Sequence, residues 1–371
     1  MNKFKLAFTM FSIVVLVGGA LLFSVSRAEQ GVIRVPYDYP TIQEAVNAAS
    51  AESIIMVSSR TYTEHIVIDK PLKLIGEERM VTILDGGGNG TVIKVEADNV
   101  LVDGFTIRNG KFGIYMSAFS NLIISNNIII ANDVGICLNG ETGIFGDSLI
   151  LRNIIANNGY NGISSDYNGI YENFVSSRFE FVGCRENVIR HNNFFIYNGI
   201  LEDMLTGNNT WNENFWNSGV YREDKQPLNA PYGPIPILWE NVVYPVSLVS
   251  NSTVSGIEFS QANKKIEFYF QGTSGTTGFF NMTIPKNLLR GEPWTILMGL
   301  EDITPQTTII ENETHTTIGL TYTHGSTEGN IRIIGTWVVP EFASSIILSI
   351  LMILFTALTV AIKLKKRGLN K

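Results

Sequence analysis

Asn127-Ile128-Ile129, Asn153-Ile154-Ile155, Asn173-Phe174-Val175, Asn193-Phe194-Phe195 and Asn214-Phe215-Trp216 repeat one pattern, an asparagine followed by two apolar residues. Gly104-Phe105-Thr106 fits the same frame with glycine in the asparagine position. The six steps lie 23, 26, 20, 20 and 21 residues apart, close to one turn of a β-solenoid. A unit this short cannot bury its own apolar face and must stack on its neighbours. The repeat therefore predicts a coil of stacked turns over residues 100–218.

The frame assigns faces. One place after the frame residue stand Phe105, Ile128, Ile154, Phe174, Phe194 and Phe215, which read as a single interior pile. The asparagine column reads as a bend, where side-chain amides bond along the stack and satisfy turn backbone. One place before it stand Asp103, Asn126, Arg152, Glu172, Asn192 and Glu213, all polar, and this column belongs outside.

Working outward, Thr41-Ile42-Gln43-Glu44 opens a short helix with a capping box, Thr41 to the first turn and Glu44 back to it. Ile42, Ala45, Val46 and Ala49 form one apolar stripe, suited to closing the open end of a solenoid whose edge would otherwise invite association. Short apolar runs punctuated by Gly, Pro and Asp lead from there into the repeat. Residues 219–246 hold five of the chain's 12 prolines, which predicts an irregular terminal cap. Strand-like runs at 253–259, 265–270, 278–284, 294–297, 307–310, 316–322 and 330–337 then predict an antiparallel β-sandwich, a stalk between solenoid and membrane.

The ends differ from the middle. Lys3 and Lys5 precede an apolar run and Ser26-Arg27-Ala28, the layout of a secretory signal over residues 1–28. Residues 344–362 carry no charge and are long enough to cross a bilayer, and Lys363, Lys365, Lys366 and Arg367 follow them. Basic residues stay cytoplasmic, so the bulk lies outside and the C-terminus inside. Setting aside the eight basic residues of the two ends lowers the formal net charge from −7 to −15. So acidic a body repels nucleic acid and anionic polysaccharide unless cations intervene, and nucleic acid is not expected as a partner. Five sequons, at Asn89, Asn208, Asn251, Asn281 and Asn312, fall in the external part and are candidate N-glycosylation sites. Cys137 and Cys184 stand two turns apart in the frame, roughly 9–10 Å, beyond the about 7 Å a disulfide spans. Two free, mostly buried thiols are expected.

Thr41-Ile42-Gln43-Glu44-Ala45-Val46, Leu72-Lys73-Leu74-Ile75-Gly76, Thr82-Ile83-Leu84-Asp85-Gly86-Gly87 and the stretch from Asn99 to Ile107 resemble the opening of NosD-type right-handed parallel β-helix proteins. Glycines 113, 135, 162 and 199 resemble that family's repeat, and Asn214-Phe215-Trp216 with Tyr244-Pro245 its closing segment. The resemblance covers about residues 32–246 and implies a right-handed parallel β-helix, assigned here to 29–246; with the sandwich that the strand runs place over 247–338, the chain reads as all-β. It is specific for fold and weak for activity, because β-helices serve sugar-binding modules, lyases, hydrolases and a factor in copper-enzyme maturation. Pro340-Glu341-Phe342, ahead of the apolar run, resembles the sorting motif of archaeal surface proteins. That resemblance implies a transpeptidase-like partner and a 339–371 segment of motif, transmembrane helix and basic tail.

For chemistry, the four histidines show no metal-ligand spacing, which argues against a copper or zinc site. β-helix lyases hold Ca²⁺ with carboxylates and abstract a proton with a basic residue, so Ca²⁺ is the one cation the outer column could take; no cofactor is otherwise assigned. Arg152, Glu172, Glu213 and His191 are the catalytic candidates, although Arg152 and Glu172 on adjacent turns also read as plain charge pairing. Asp133, Asp147 and Asp166 do not form the tight pair a hydrolase needs. Tyr160, Tyr167, Tyr171, Tyr197 and Trp211 cluster in the later turns, where rings could stack on sugars. The reading is a membrane-anchored external protein that binds polysaccharide or surface glycans. Its alternatives are a lyase or hydrolase on the same scaffold, and a passive coat component.

Overall fold

The computed structural model describes residues 31–339, apart from 117–118, 139–146, 160–162, 165–168, 177–180, 183–185, 196–202, 205–208, 218–223, 225 and 240–241. The signal segment, Pro340-Glu341-Phe342 and residues 344–362 lie outside the described residues, among which no helix is long and apolar enough to cross a membrane.

The chain forms a parallel β-solenoid followed by antiparallel sheets. Three walls of parallel strands make the solenoid. The first has nine strands, from Val32–Val35 to Thr210–Asn212; the second has eight, from Thr61–Thr63 to Phe215–Trp216; the third has five, from Ile66–Ile68 to Ile163–Ser164. The alternation of the strand period puts one residue per short strand into the lumen. In the first wall that file is Ile55, Leu74, Val102, Ile124, Ile150, Ile170, Ile189 and Trp211, each paired with the next. In the second wall it is Leu84, Ile107, Ile129, Ile155, Val175, Phe194 and Trp216. All are buried. Each contributes about 1.5–3 kcal/mol relative to exposure, offset by the entropy of ordering the chain.

The interior pile therefore differs from the expected one. Phe105 and Phe194 do sit in the lumen, but Ile128, Ile154, Phe174 and Phe215 point outward and pack with Ile235, Val243 and Val246 of the later sheets. The ladder also departs from the repeat frame by one residue at two steps. Asn192, not Asn193, occupies the ladder, and Phe105, not Gly104, takes the equivalent place in the first turn.

The asparagine ladder itself is present and fully bonded. Asn153 Nδ2 donates to Ile124 O at 2.8 Å and to Asn173 Oδ1 at 3.1 Å, while its Oδ1 accepts from Asn127 N at 2.9 Å and from Asn127 Nδ2 at 3.2 Å. The chain of amides runs Asn127, Asn153, Asn173, Asn192, Asn214. Just before each ladder residue the backbone turns left-handed: Gly104, Asn126, Arg152, Glu172, His191 and Glu213 have φ of 82, 54, 56, 55, 57 and 55°. A non-glycine residue there costs about 1–2 kcal/mol. That conformation aims its N–H along the stack, as where Arg152 N reaches Tyr171 O at 3.1 Å and His191 N reaches Glu213 O at 3.0 Å.

The helix Ile42–Ala48 closes the first turn, with Ile42, Ala45 and Val46 buried against the lumen residues. Thr41 caps it, accepting from Glu44 N at 3.2 Å. The second half of the cap comes from elsewhere: the Glu64 carboxylate accepts from Ile42 N at 3.1 Å and Gln43 N at 3.0 Å.

Two five-stranded antiparallel sheets follow. The order in one is Ile235–Trp239, Val242–Ser250, Thr277–Pro285, His315–Thr323, Thr308–Glu311; in the other it is Thr253–Ser260, Lys265–Gln271, Gly329–Ile334, Thr295–Met298, Glu301–Asp302. The proline-rich stretch is less irregular than expected, since Pro236 and Pro245 face each other in the first hairpin. The sheets lie along the solenoid's second wall. Asn217 joins them, its Oδ1 accepting from Ile257 N at 2.6 Å and its Nδ2 donating to Ile257 O at 3.1 Å.

Cys137 is a free thiol. It is half-buried on the outer side of the third wall, beside Tyr115 and Ser164 in the ladder, and burial pushes its pKa up. Cys184 lies outside the described residues.

Candidate functional site

The left-handed corner column projects charged side chains at regular steps, and a strap from the proline-rich stretch crosses it. Asn193, pushed off the ladder by Asn192, faces outward and holds Tyr232 by its backbone: Tyr232 N donates to Asn193 Oδ1 at 2.8 Å, and Asn193 Nδ2 donates to Tyr232 O at 2.7 Å. The Tyr232 ring stacks on His191, centroids 4.9 Å apart and 8° from parallel. Its hydroxyl reaches toward Glu172 Oε1 at 3.5 Å.

Between strap and wall lies a cleft of about 330 Å³. Ile154, Phe174, Val243, Pro236 and Pro245 form its apolar lining, and Arg79, Arg152, Glu172, Asn193 and Tyr232 its polar one. Arg152 Nε bonds Glu172 Oε2 at 2.6 Å, and this hydrogen bond together with the Glu172 charge holds the guanidinium above its ordinary pKa. Arg79 differs. Burial pushes its guanidinium down against the charges of Glu78 and Asp103, and it makes no ion pair within 4 Å among the described residues. Glu172 is the one carboxylate among the described residues that line the cleft.

Glu213 and His191 sit beyond it. Glu213 pairs with Arg190 and takes His191 Nε2 at 2.8 Å. The Arg190 hydrogen bond, working against slight desolvation and helped by His191, holds the Glu213 carboxyl below its usual range. The structure thus joins Arg152 to Glu172 and His191 to Glu213, with Tyr232 bridging the two pairs.

The aromatic candidates fare differently. Trp211 is 1% exposed, packed in the lumen against Phe194 and Trp216 at 6.0 and 5.7 Å, and offers no face to a ligand. Its strand alternates inward at that position, which the polar neighbours Thr210 and Asn212 signalled. Tyr171 stands half-buried on the first wall between Leu151 and Arg190, outside the cleft. Tyr160, Tyr167 and Tyr197 lie outside the described residues, as does Asn208. Asn89, Asn251, Asn281 and Asn312 are exposed. Asn251 already bonds Thr277 O at 3.0 Å and Phe279 N at 2.8 Å, whereas Asn312 makes a tight turn that accepts from Thr314 N at 2.9 Å. No group of three or more His, Cys, Asp or Glu side chains fit to hold a metal occurs among the described residues.

Arg79 and Tyr232 escaped the sequence reading. Arg79 sits in a loop between strands of an early turn, and Tyr232 between two prolines, Pro231 and Pro234, taken only as a cap. Neither falls in the repeat frame.

Fold and site together define a parallel β-solenoid protein with a strapped cleft on one wall. No family model matches the chain. It is similar to a cell surface glycoprotein of Methanothermus fervidus, 31% identical over 131 residues, which is 35% of this chain and 21% of that protein. The chain thus spans about a fifth of the length of this relative. Among solved structures, a pectin methylesterase crystallised with a hexasaccharide aligns over 58% of this chain and 73% of its own, at 13% identity and a TM-score of 0.35. ORF18 of Geobacillus virus E2 aligns over 90% of this chain and 82% of its own, at 12% identity and a TM-score of 0.21. Neither structure is near enough to carry an argument about activity.

Proposed function

We propose that the protein is a cell-surface β-solenoid of the right-handed, NosD-like kind, held outside by residues 344–362, and that its strapped cleft binds a glycan bearing an acidic group. The observation that carries the ligand class is Arg79, a partly buried guanidinium lining the cleft without an ion pair among the described residues. Burying a charge without a partner is costly, and a carboxylate on a ligand would supply that partner bidentately. Tyr232 adds a ring against which a sugar can lie. The acidic body repels a polyanion at long range, but screening confines that field to about 8 Å. Inside the cleft two guanidinium groups face one carboxylate. The likeness to a cell surface glycoprotein supports the setting. Pro340-Glu341-Phe342 would serve a sorting enzyme, and the sandwich a spacer.

Binding is favoured over hydrolysis because a two-carboxylate mechanism lacks its second member among the described lining residues, and Glu172 is tied to Arg152. The test is an array of neutral and uronic-acid oligosaccharides probed with the full chain. Retention of acidic oligosaccharides, lost in Arg79→Ala and weakened in Tyr232→Ala but kept in Tyr171→Ala, supports the reading. Release of unsaturated or reducing ends would favour the enzyme, and no retention of any glycan would leave a coat component.

A further inference from the structure

The last described residue is pinned. Val339 is 0% exposed. Its N–H donates to Leu288 O at 2.9 Å and its carbonyl accepts from Gln261 Nε2 at 3.1 Å. The span read over 344–362 begins five residues further on, at Ser344. Five residues fully extended span at most about 18 Å. The headgroup layer on one side of a bilayer takes roughly 5–7 Å of that. The edge from which the chain leaves the sandwich therefore stands no more than about 13 Å above the headgroups, little beyond the screening length of about 8–10 Å.

The residues around that exit suit the position. Leu289–Arg290 and Trp337–Val338 form a two-stranded ladder there, with the Arg290 guanidinium 4.6 Å over the Trp337 ring. Trp337 is 39% exposed although it is among the largest apolar side chains. Lys264 joins the same edge, its Nζ donating to Thr336 O at 3.2 Å, and Gly335 N bonds Lys264 O at 2.8 Å. Among the described residues Glu292 is a nearby acid, its N–H bonded to Thr336 Oγ1 at 3.1 Å, and it offsets one of the two cations; Glu341, two residues past Val339, lies outside the described residues. Tryptophan with an adjoining cation is the pairing that the membrane–water boundary favours, ring in the interface and charge at the phosphates. The rest of the external body is strongly acidic, which turns it away from an anionic surface and this edge toward it.

We propose that the exit edge made by Trp337, Arg290 and Lys264 rests on the lipid headgroups, so that the sandwich is docked on the membrane instead of swinging above it. The proposal rests on the reading of residues 344–362 as a membrane span. It is independent of what the cleft binds.

The test uses the full chain reconstituted into phosphatidylcholine–phosphatidylglycerol vesicles, with tryptophan fluorescence quenched by a nitroxide carried on the headgroup. Of the chain's five tryptophans, Trp211, Trp216 and Trp294 are buried and Trp239 is half-buried in the first hairpin, so the part of the quenching that Trp337 supplies is the part lost in Trp337→Phe. Arg290→Ala combined with Lys264→Ala should weaken the quenching and its salt dependence, with the circular dichroism spectrum unchanged. Equal quenching in the unaltered chain and Trp337→Phe, with both retained in the membrane after an alkaline carbonate wash, would overturn the docking alone. A chain washed out by carbonate would overturn the docking together with the membrane reading.

Discussion

Asp224 ends the asparagine ladder by accepting from Asn214: its Oδ2 lies 3.1 Å from Asn214 N and 3.0 Å from Asn214 Nδ2. The same oxygen takes Trp216 Nε1 at 3.0 Å, and the residue is 6% exposed. A finite stack of amides leaves one donor pair open at its last step, and a carboxylate, which only accepts, closes it.

Replacing this acceptor should therefore strip partners from three buried donors at once. Asp224→Ala is expected to cost on the order of 2–4 kcal/mol, each stranded donor contributing about 1–3 kcal/mol less whatever water recovers. Asp224→Asn should recover part of it. Denaturant midpoints at constant slope measure both, and a loss under about 0.5 kcal/mol in the alanine variant would show that the terminus is solvated.

Mid-ladder, Asn153→Ala removes an amide whose four bonds are all to other buried groups. The expected loss is about 2–4 kcal/mol, and Asn153→Asp should do no better, because a carboxylate cannot donate to Ile124 O and Asn173 Oδ1. Equal stability of the aspartate variant and the unaltered chain would contradict the donor assignment.

Phe194 and Phe174 stand on adjacent turns of one wall but face opposite ways. Phe194→Ala leaves a hole in the lumen and should cost about 3–5 kcal/mol in the solenoid transition. Phe174→Ala should instead loosen the contact with the antiparallel sheets. Limited proteolysis near residues 225–241 then ought to speed up while the solenoid's melting changes less. A reversed ranking would mean that the two rings had been placed on the wrong faces.

Asp85 supplies a pH prediction. Burial works to raise its pKa, but hydrogen bonds from Gly87 N, Arg108 and Asn109, with the Arg108 charge, outweigh it and hold the carboxyl below its ordinary 3.8. A depressed folded value means stability that is present in full above the unfolded pKa and lost as pH falls through the folded one. The advantage of the unaltered chain over Asp85→Asn should thus be constant from neutral pH down to about 5 and shrink below 3.8. Stability curves of the two proteins against pH decide it; a gap that grows on acidification would reverse the sign.

Much of this was legible beforehand. Six of the seven strand runs after residue 250 coincide within a residue with strands such as Lys265–Gln271 and Thr277–Pro285, because exposed antiparallel sheets alternate cleanly, whereas the run at 330–337 breaks after Ile334 and Trp337–Val338 pairs with Leu289–Arg290 instead. The ladder was legible as a column but not in phase. Asn192 and Asn193 are adjacent, and nothing local says which enters the stack and which turns out to grip Tyr232. Arg79 and Tyr232 meet across the cleft from distant parts of the chain, so no spacing could reveal them.

The sequence by itself determined that the chain coils in short repeats, that amides run along its bends and that separate antiparallel sheets follow. Those features depend on periods of two residues and of about twenty, which the chain carries wherever it is placed. Which apolar column faces the lumen, and where the cleft lies, only the tertiary structure decided. A side chain covered by a neighbouring sheet loses as much water as one inside the coil, so Phe174 and Phe194 look alike until the sheets are docked against the wall.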